Sequence, residues 1–148
     1  MNKTANDFFT REEKDDIRQA ILNAELDTSG EIRVHIENSV IGDVLDRAAY
    51  IFHKLGMQNT EQRNGVLIYL ALKNRRFAII GDSGINNAVP ENFWTDIKTD
   101  MLNHFRENRF AEGLIEAIEE TGKQLKKNFP YQRQDVNELS DDISFGKD

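Results

Sequence analysis

The chain has 148 residues, of which 39% are hydrophobic and 30% charged, a composition typical of one folded domain rather than a disordered segment. Its net charge is −7, from 19 basic and 26 acidic residues, which argues against nucleic-acid binding and against docking on anionic lipid, since both need a basic surface. Cysteine is absent, which excludes disulfides, thiolate nucleophiles and cysteine-ligated zinc.

The sequence predicts no membrane insertion. The longest apolar run, residues 66–72, is far shorter than a membrane-spanning helix. Residues 1–10 lack the apolar core of a signal peptide. If the chain is complete, we therefore expect a cytoplasmic monomer.

The first predicted helix follows a capping box. Thr10 is the expected N-cap, Glu13 lies three residues later, and two phenylalanines lead in. Apolar residues then recur at helical spacing, which predicts a helix over 11–27. The next segment, 31–37, alternates strictly between apolar and polar residues and predicts a strand with one buried face.

A second helix and two more strands follow. Gly42 breaks the chain before a helix predicted over 43–55, and Gly56 is its expected stop. Residues 66–72 are continuously apolar, which is typical of a central strand buried on both faces. After a polar turn, 77–80 should pair with this strand as an antiparallel hairpin. Because a helix connects the first two strands, those strands should be parallel.

The last third of the chain is predicted to be mainly helical. The Gly- and Asn-rich segment 81–89 is predicted to be a loop, and Pro90 is expected to open the third helix at its favoured first position. A fourth helix is predicted over 110–128. Beyond Pro130 lies an acidic tail, in which four apolar residues could pack back on the domain: Val136, Leu139, Ile143 and Phe145.

These elements predict one α/β domain. The order helix–strand–helix–strand–strand–helix–helix favours a three-layer α/β/α sandwich, in which helices flank a small mixed sheet on both faces. The predicted boundaries are an N-terminal extension at 1–9, the domain itself at 10–130 and an acidic C-terminal tail at 131–148.

Polar residues are predicted to converge at one end of this sheet. The starts of the two parallel strands and the end of their antiparallel neighbour meet there, and they carry Glu31, Asn64 and Asp82. Two carboxylates and an amide oxygen are ligands that suit Ca²⁺ or Mg²⁺. Two further oxygen-bearing residues of the following loop could complete the coordination shell: Asn86 and Glu91.

The same residues also have a structural interpretation. Glu31 could form an ion pair with Arg63, and Asp82 could stabilise its own loop through Asx-type hydrogen bonds. Ion pairs and Asx turns are common at loop ends. The sequence leaves both interpretations open.

A second acidic group is predicted at the opposite end of the sheet, formed by Glu37, Asp43 and Asp46. N-capping of the second helix by Asp43, with Asp46 in the first turn, accounts for this group without a ligand. His35 lies on the polar face of the first strand. It could act as a general base or phosphate contact, or be a surface or helix-covered histidine.

Several stretches of the chain resemble the TPM-domain family in order and spacing: 29–34, 63–68, 79–85 and 110–114. The family opens its first strand with a small residue and an acid or amide. It places Asn-Gly before an apolar strand and a Gly-x-Gly-type turn after the next strand. The resemblance covers about residues 10–128 and implies a Rossmann-like α/β/α fold.

The resemblance also implies divalent-cation binding, with Glu31 and Asp82 as ligands and Asn64 as a ligand or turn-former. Members of the family are linked to photosystem repair, acid-phosphatase activity, receptor modulation and membrane-associated roles. An enzyme needs a base or nucleophile near the cation, and the predicted edge offers only carboxylates. The favoured hypothesis is a cation-binding interaction module with a protein partner. The alternatives are a metal-dependent, acid-phosphatase-like hydrolase and a purely structural domain.

Overall fold

The computed structural model describes residues 4–131 and 143–146. The helices and strands predicted from the sequence are present, each close to its predicted bounds. In chain order, the elements are a 3₁₀ turn (Ala5–Asp7), α1 (Arg11–Glu25), β1 (Glu31–Glu37), α2 (Val44–Lys54), β2 (Gly65–Ala71), β3 (Arg76–Gly81), α3 (Ser83–Ala88), α4 (Phe93–Arg106), α5 (Phe110–Asn128) and β4 (Ser144–Phe145).

The strands form one mixed sheet in the order β3-β2-β1-β4. β1 and β2 are parallel, with Glu31 opposite Gly65, and β3 is antiparallel to β2, with Gly81 opposite Val66. Both orientations confirm the predictions. β4, which pairs in parallel with β1, was not predicted, because a two-residue strand is too short to carry an alternating pattern.

Helices cover both faces of the sheet, so the predicted three-layer α/β/α sandwich is confirmed. α2 packs on one face, where Leu67 and Tyr69 of β2 are fully buried. α1, α4 and α5 cover the other face, over Val66 and Ile68 of the same strand. Each fully buried Ile or Leu contributes about 1.5–3 kcal/mol to folding, and this burial on both sides fixes the position of β2 at the centre.

The capping box of α1 is present. The Thr10 hydroxyl accepts a hydrogen bond from the Glu13 amide at 3.0 Å, and the Glu13 carboxylate accepts one from the Thr10 amide at 2.9 Å. At the end of α2, Gly56 adopts a φ of +72°, the left-handed conformation expected of a helix stop.

The prediction of a loop over 81–89 was wrong, because α3 occupies Ser83–Ala88. Asp82 caps this helix and Ile85 is fully buried, so tertiary contacts outweigh the low helix propensity of its Gly and Asn residues. The helix predicted to open at Pro90 begins at Phe93 instead, because residues 90–92 form a turn closed by the Phe93 amide on the Pro90 carbonyl.

The chain ends contribute to the core. Phe9, ahead of α1, is 3% exposed, and Ile143, ahead of β4, is 6% exposed. Phe145 also packs against the core, whereas Val136 and Leu139 lie outside the described residues. Across residues 4–131 and 143–146, no helix is long and apolar enough to cross a membrane.

Candidate functional site

The structure places Glu31, Asn64 and Asp82 at the same end of the sheet. The Glu31 amide donates to the Asn64 carbonyl at 3.4 Å, and the Asp82 amide donates to the Gly65 carbonyl at 3.0 Å. These backbone bonds extend the β1–β2 and β2–β3 pairing by one step. We call these three residues the strand-start edge.

Gly65 lies between the two carboxylate residues of this edge. Strand alternation directs positions 31, 65 and 82 to the face covered by α2. Across one intervening strand, the Cα atoms of Glu31 and Asp82 are about 10 Å apart. Gly65 has no side chain to fill that space, and a Cβ there would lie 3.0 Å from the Met57 carbonyl oxygen.

Asp82 is buried and has two partners. Its Oδ2 atom accepts a hydrogen bond from Arg63 Nε at 2.7 Å, and its Oδ1 atom accepts one from the Ser83 amide at 2.7 Å. The Asp82 side chain is 6% exposed, whereas that of Arg63 is 50% exposed. The hydrogen bond to Asp82 raises the pKa of Arg63. Asp82 therefore stabilises its own loop, as the structural interpretation expects, and its ion-pair partner is Arg63.

Asn64 is the most buried residue of the edge, at 1% exposure. Its Nδ2 atom donates to Ser29 Oγ at 3.1 Å, and its backbone amide donates to Thr60 Oγ1 at 3.2 Å. Within the described part of the chain, its Oδ1 atom has no hydrogen-bond partner. A buried acceptor without a hydrogen-bond partner lowers the stability of the fold by about 1–3 kcal/mol. Such an atom is expected to interact with a ligand, a water molecule or an ion.

The loop that carries Asn64 is braced against α3. Arg63 has a φ of +51°, an uncommon conformation for a residue with a side chain. Its carbonyl accepts hydrogen bonds from the amides of Gly84 and Ile85, at 2.8 and 3.3 Å. A Cβ on Gly84 would lie 2.0 Å from the Gln62 carbonyl oxygen. The first turn of α3 therefore packs directly against the backbone of this loop.

The other two predicted ligands are placed differently. Asn86 lies in α3, where its Nδ2 atom donates to the Gly81 carbonyl at 2.6 Å and its Oδ1 atom accepts from Trp94 Nε1 at 2.8 Å. Asn86 therefore connects α3 to the end of β3 through its Nδ2 atom and to α4 through its Oδ1 atom. Glu91 is exposed in the turn between these helices.

Metal binding at this edge would depend on few charges. Among residues 4–131 and 143–146, no three carboxylate or imidazole side chains are grouped closely enough to hold a metal ion. A cation bound at the edge would be held by at most two carboxylates, with amide, carbonyl or water oxygens completing its shell.

The opposite end of β1 carries a buried network that the sequence did not reveal. Both oxygens of Glu37 accept hydrogen bonds from Arg47 of α2, at 2.9 and 2.7 Å, and Oε1 also accepts from the Tyr69 hydroxyl at 2.5 Å. Burial acts to raise the pKa of Glu37, but these hydrogen bonds outweigh it and lower that pKa to about 2. Burial and the bond to Glu37 raise the pKa of Tyr69.

His35 is part of the same network, which we call the Glu37 network. Its Nδ1 atom lies 2.6 Å from Ser144 Oγ of β4, and its ring stacks on Tyr69. Burial lowers the pKa of His35 below its ordinary value of 6.5, so the ring is neutral at pH 7. Asp43 caps α2 by accepting from the Leu45 amide at 3.1 Å, which confirms the capping interpretation of that residue.

One sequence signal could have indicated the Glu37 network. Tyr69 is the only hydroxyl-bearing residue in the otherwise aliphatic run 66–72, and a tyrosine in a strand buried on both faces needs a hydrogen-bond partner. The register β1–β2 places Tyr69 opposite His35, on the same face as Glu37. Arg47 neutralises Glu37, and the remaining buried nitrogen, His35 Nε2, lies 3.6 Å from the same carboxylate. The charges of the network are therefore balanced within the protein, which indicates a structural role.

Comparison with known proteins identifies the family. The TPM domain model matches residues 3–124. The NMR structure of BA42 protein from the psychrophilic bacterium Bizionia argentinensis is similar, with 45% identity over 94% of this chain and 96% of that one and a TM-score of 0.86. No curated protein matches the chain.

Two more distant solved structures share the fold. The N-terminal domain of a protein from P. gingivalis is 21% identical over 85% of this chain and 83% of that one, with a TM-score of 0.70. The N-terminal domain of cg2496 protein from Corynebacterium glutamicum is 14% identical over 84% and 79%, with a TM-score of 0.65. The model match spans most of the chain, and the chain therefore belongs to the TPM-domain family.

Proposed function

We propose that this chain is a divalent-cation-binding interaction module whose strand-start edge binds Ca²⁺ or Mg²⁺. One observation carries the proposal: the Asn64 Oδ1 atom is buried without a hydrogen-bond partner in the described part of the chain. The backbone of Asn64 pairs with that of Glu31, at the end of the sheet where Asp82 also lies. Oxygen donors of this kind are the ligands that both cations prefer.

The orientation of Asn64 supports a ligand role. Its Nδ2 atom is held by Ser29 Oγ, and Ser29 is in turn held by Gln62 Nε2 at 3.1 Å. The amide group is therefore fixed before any cation arrives. A pre-positioned ligand loses little conformational freedom on binding, which favours affinity.

Arg63 would compete with the divalent cation for the Asp82 carboxylate. Its guanidinium group neutralises Asp82 at 2.7 Å, but half of its side chain is exposed to solvent. It can therefore leave Asp82 and enter water when a divalent cation takes its place. Because this exchange opposes binding and only two carboxylates are present, we expect a dissociation constant of about 10⁻⁴–10⁻³ M, the range of weak Ca²⁺ sites.

Binding is favoured over catalysis by the position of His35. This residue is four steps along β1 from Glu31, which is about 13 Å, and it contacts Ser144 at the other end of the strand. A general base must come within hydrogen-bond reach of the reacting group. The proposed cation would instead set the arrangement of the 60–64 loop and the start of α3 for a protein partner.

Asp82→Asn tests the proposal with little structural cost. Asparagine can still accept the Ser83 amide at the cap of α3, but it lacks the charge. In Ca²⁺ and Mg²⁺ titrations followed by ¹H–¹⁵N NMR, we expect the affinity to fall about tenfold or more, because the ligand charge sets affinity in such sites. Asp43→Asn is the control, since Asp43 is also a helix N-cap and accepts a hydrogen bond from the Leu45 amide of α2. Its titration should equal that of the wild type.

Arg63→Gln tests the competition and should strengthen cation binding about threefold or more, because it removes a positive charge beside Asp82.

Unchanged cation affinity in Asp82→Asn would show that any bound cation lies elsewhere. An absence of saturable shifts in the wild type would leave a purely structural domain. Chelator-sensitive hydrolysis of a phosphate ester that disappears in Asp82→Asn would establish the hydrolase instead.

A further inference from the structure

A groove lies at the end of the sheet opposite the strand-start edge. It runs between the β2–β3 hairpin, the last turn of α4 and the start of α5, and its volume is about 490 Å³. This volume falls within the range of small-molecule sites, which are mainly apolar with a few polar groups that orient the ligand. The edge proposed to bind a cation is about 20 Å away along β2.

The floor of the groove is aromatic. Phe8, Phe110, Phe105 and Phe77 form a continuous row, with ring centroids 5.1 Å apart for Phe8 and Phe110, 5.1 Å for Phe105 and Phe110, and 5.4 Å for Phe77 and Phe105. All four side chains are only partly buried. Their exposed surface therefore faces the groove, together with Leu102, which is 41% exposed.

The rim of the groove is cationic. Arg75 and Arg76 of the hairpin and Arg106 of α4 line it and are exposed. Arg47 and Arg63 each lie within 3 Å of a carboxylate, but none of the three rim arginines forms an ion pair within residues 4–131 and 143–146. The described lining contains no acidic residue, although the chain has 26 acidic and 19 basic residues.

We infer that this groove binds a small amphipathic carboxylate, meaning a molecule with an apolar chain or ring and one carboxylate group. The apolar part would lie on the row of phenylalanines. The carboxylate would be held by the rim arginines, whose planar guanidinium groups match its two oxygens. This inference is independent of the proposed cation site, which has the opposite charge and lies at the other end of the sheet.

Three probes test the inference on the full chain by ¹H–¹⁵N NMR titration: octanoate, octylamine and propionate. Octanoate should give saturable shifts at residues 70–77, 102–106 and 110, and not at residues 31, 64 and 82. Octylamine has the same chain with a positive head, and propionate has the same head with a short chain. Each should bind about tenfold more weakly than octanoate or not at all.

The double variant Arg76→Gln/Arg106→Gln should weaken octanoate binding about tenfold. Lys126→Gln/Lys127→Gln, at the far end of α5, changes the net charge equally and should leave octanoate binding unchanged. The wild-type comparison of the three probes stands whether or not the arginine variant folds.

Equal affinity for octanoate and octylamine would overturn the inference, because the groove would then recognise only apolar surface. Equal affinity for octanoate and propionate would overturn it by showing non-specific anion binding. Shifts of the groove residues that depend on protein concentration without any probe would assign the groove to a second copy of the chain and also overturn it.

Discussion

Buried polar residues lie at both ends of β1, but the two groups differ in how their hydrogen-bonding atoms are satisfied. At the Glu37 network, both carboxylate oxygens of Glu37 are hydrogen-bonded, and Arg47 neutralises its charge. His35 Nε2 makes no hydrogen bond within the described residues, but it lies 3.6 Å from Glu37 Oε2 and so faces a carboxylate that the protein itself supplies. At the strand-start edge, the Asn64 Oδ1 atom is buried and has no hydrogen-bond partner in the described part of the chain.

The difference separates a structural network from the proposed binding site. Buried polar groups whose partners come from the protein need no ligand and hold elements together; here Glu37 ties β1 to α2 through Arg47 and to β2 through Tyr69. A buried acceptor that the protein leaves without a partner is costly, and such groups are expected where a ligand supplies the missing interaction. Substitutions at the Glu37 network should therefore change stability, and those at the strand-start edge should change cation binding.

Arg47→Met should have the largest effect on stability. It leaves the Glu37 carboxylate buried without the positively charged Arg47 side chain. Removing one partner of a buried ion pair lowers the free energy of unfolding by about 3 kcal/mol. Urea unfolding followed by circular dichroism measures this loss. Arg11→Met removes an exposed arginine at the start of α1 and should change the free energy of unfolding by less than about 0.5 kcal/mol. Equal losses in the two variants would contradict the structural role of the network.

Gly84→Ala should lower the free energy of unfolding by about 2 kcal/mol, because the added Cβ overlaps the Gln62 carbonyl oxygen. Helix propensity alone predicts the opposite sign, a gain of about 1 kcal/mol. Asn87→Ala, an exposed position of the same helix, is the control and should be neutral or slightly stabilising. A stabilised Gly84→Ala would show that the loop and α3 are not in contact.

The stability of the fold should decrease as the pH falls. Glu37 has a pKa of about 2 in the folded chain against an ordinary 4.5, so its contribution is complete above pH 4.5 and about 2 kcal/mol of it is lost by pH 3. The lowered pKa of His35 acts in the same direction and starts below pH 6.5, since the unfolded chain takes up that proton first. Urea unfolding at a series of pH values measures both contributions.

The two contributions can be separated by substitution. His35→Gln should flatten the curve just below pH 6.5 while keeping the decrease below pH 4.5. A wild-type curve that rises as the pH falls from 6.5 to 3 would contradict both assignments.

Tyr69→Phe should have the smallest effect of the series, a loss of about 1–1.5 kcal/mol, because it removes one hydrogen bond to a charged group that keeps its two bonds from Arg47. It should also raise the pKa of Glu37, which NMR titration of the side-chain carboxyl measures. Tyr50→Phe, at an exposed position, is the control. An unchanged pKa of Glu37 would show that the hydroxyl does not contact it.

The framework of the fold could be predicted from the sequence where local signals agree. The capping box at Thr10, the strict alternation over 31–37 and the apolar run over 66–72 each specify one element, and the parallel and antiparallel pairings then follow from chain connectivity. α3 could not be predicted, because its local signals, an Asp82 cap before a Gly- and Asn-rich segment, are weak. It is stabilised by the Arg63 carbonyl, which is distant in sequence.

The candidate site could be predicted only as a location. Strand direction was enough to bring Glu31, Asn64 and Asp82 to one end of the sheet. The sequence could not show that Arg63 would pair with Asp82, that Asn86 would use both its polar groups to hold α3, or that Tyr69 would join Glu37. Each of these depends on side-chain positions that the whole fold sets.

Paramagnetic broadening by Mn²⁺ tests the difference between the two ends of β1 most directly, since Mn²⁺ binds the same oxygen ligands as Mg²⁺ and broadens only nearby amide signals. As Mn²⁺ is added, the amide signals of residues 31, 64 and 82–84 should broaden at the lowest Mn²⁺ concentration, while those of residues 37, 47 and 69 stay sharp. Earlier broadening at the acidic first turn of α1, or equal broadening at both ends of β1, would contradict the account.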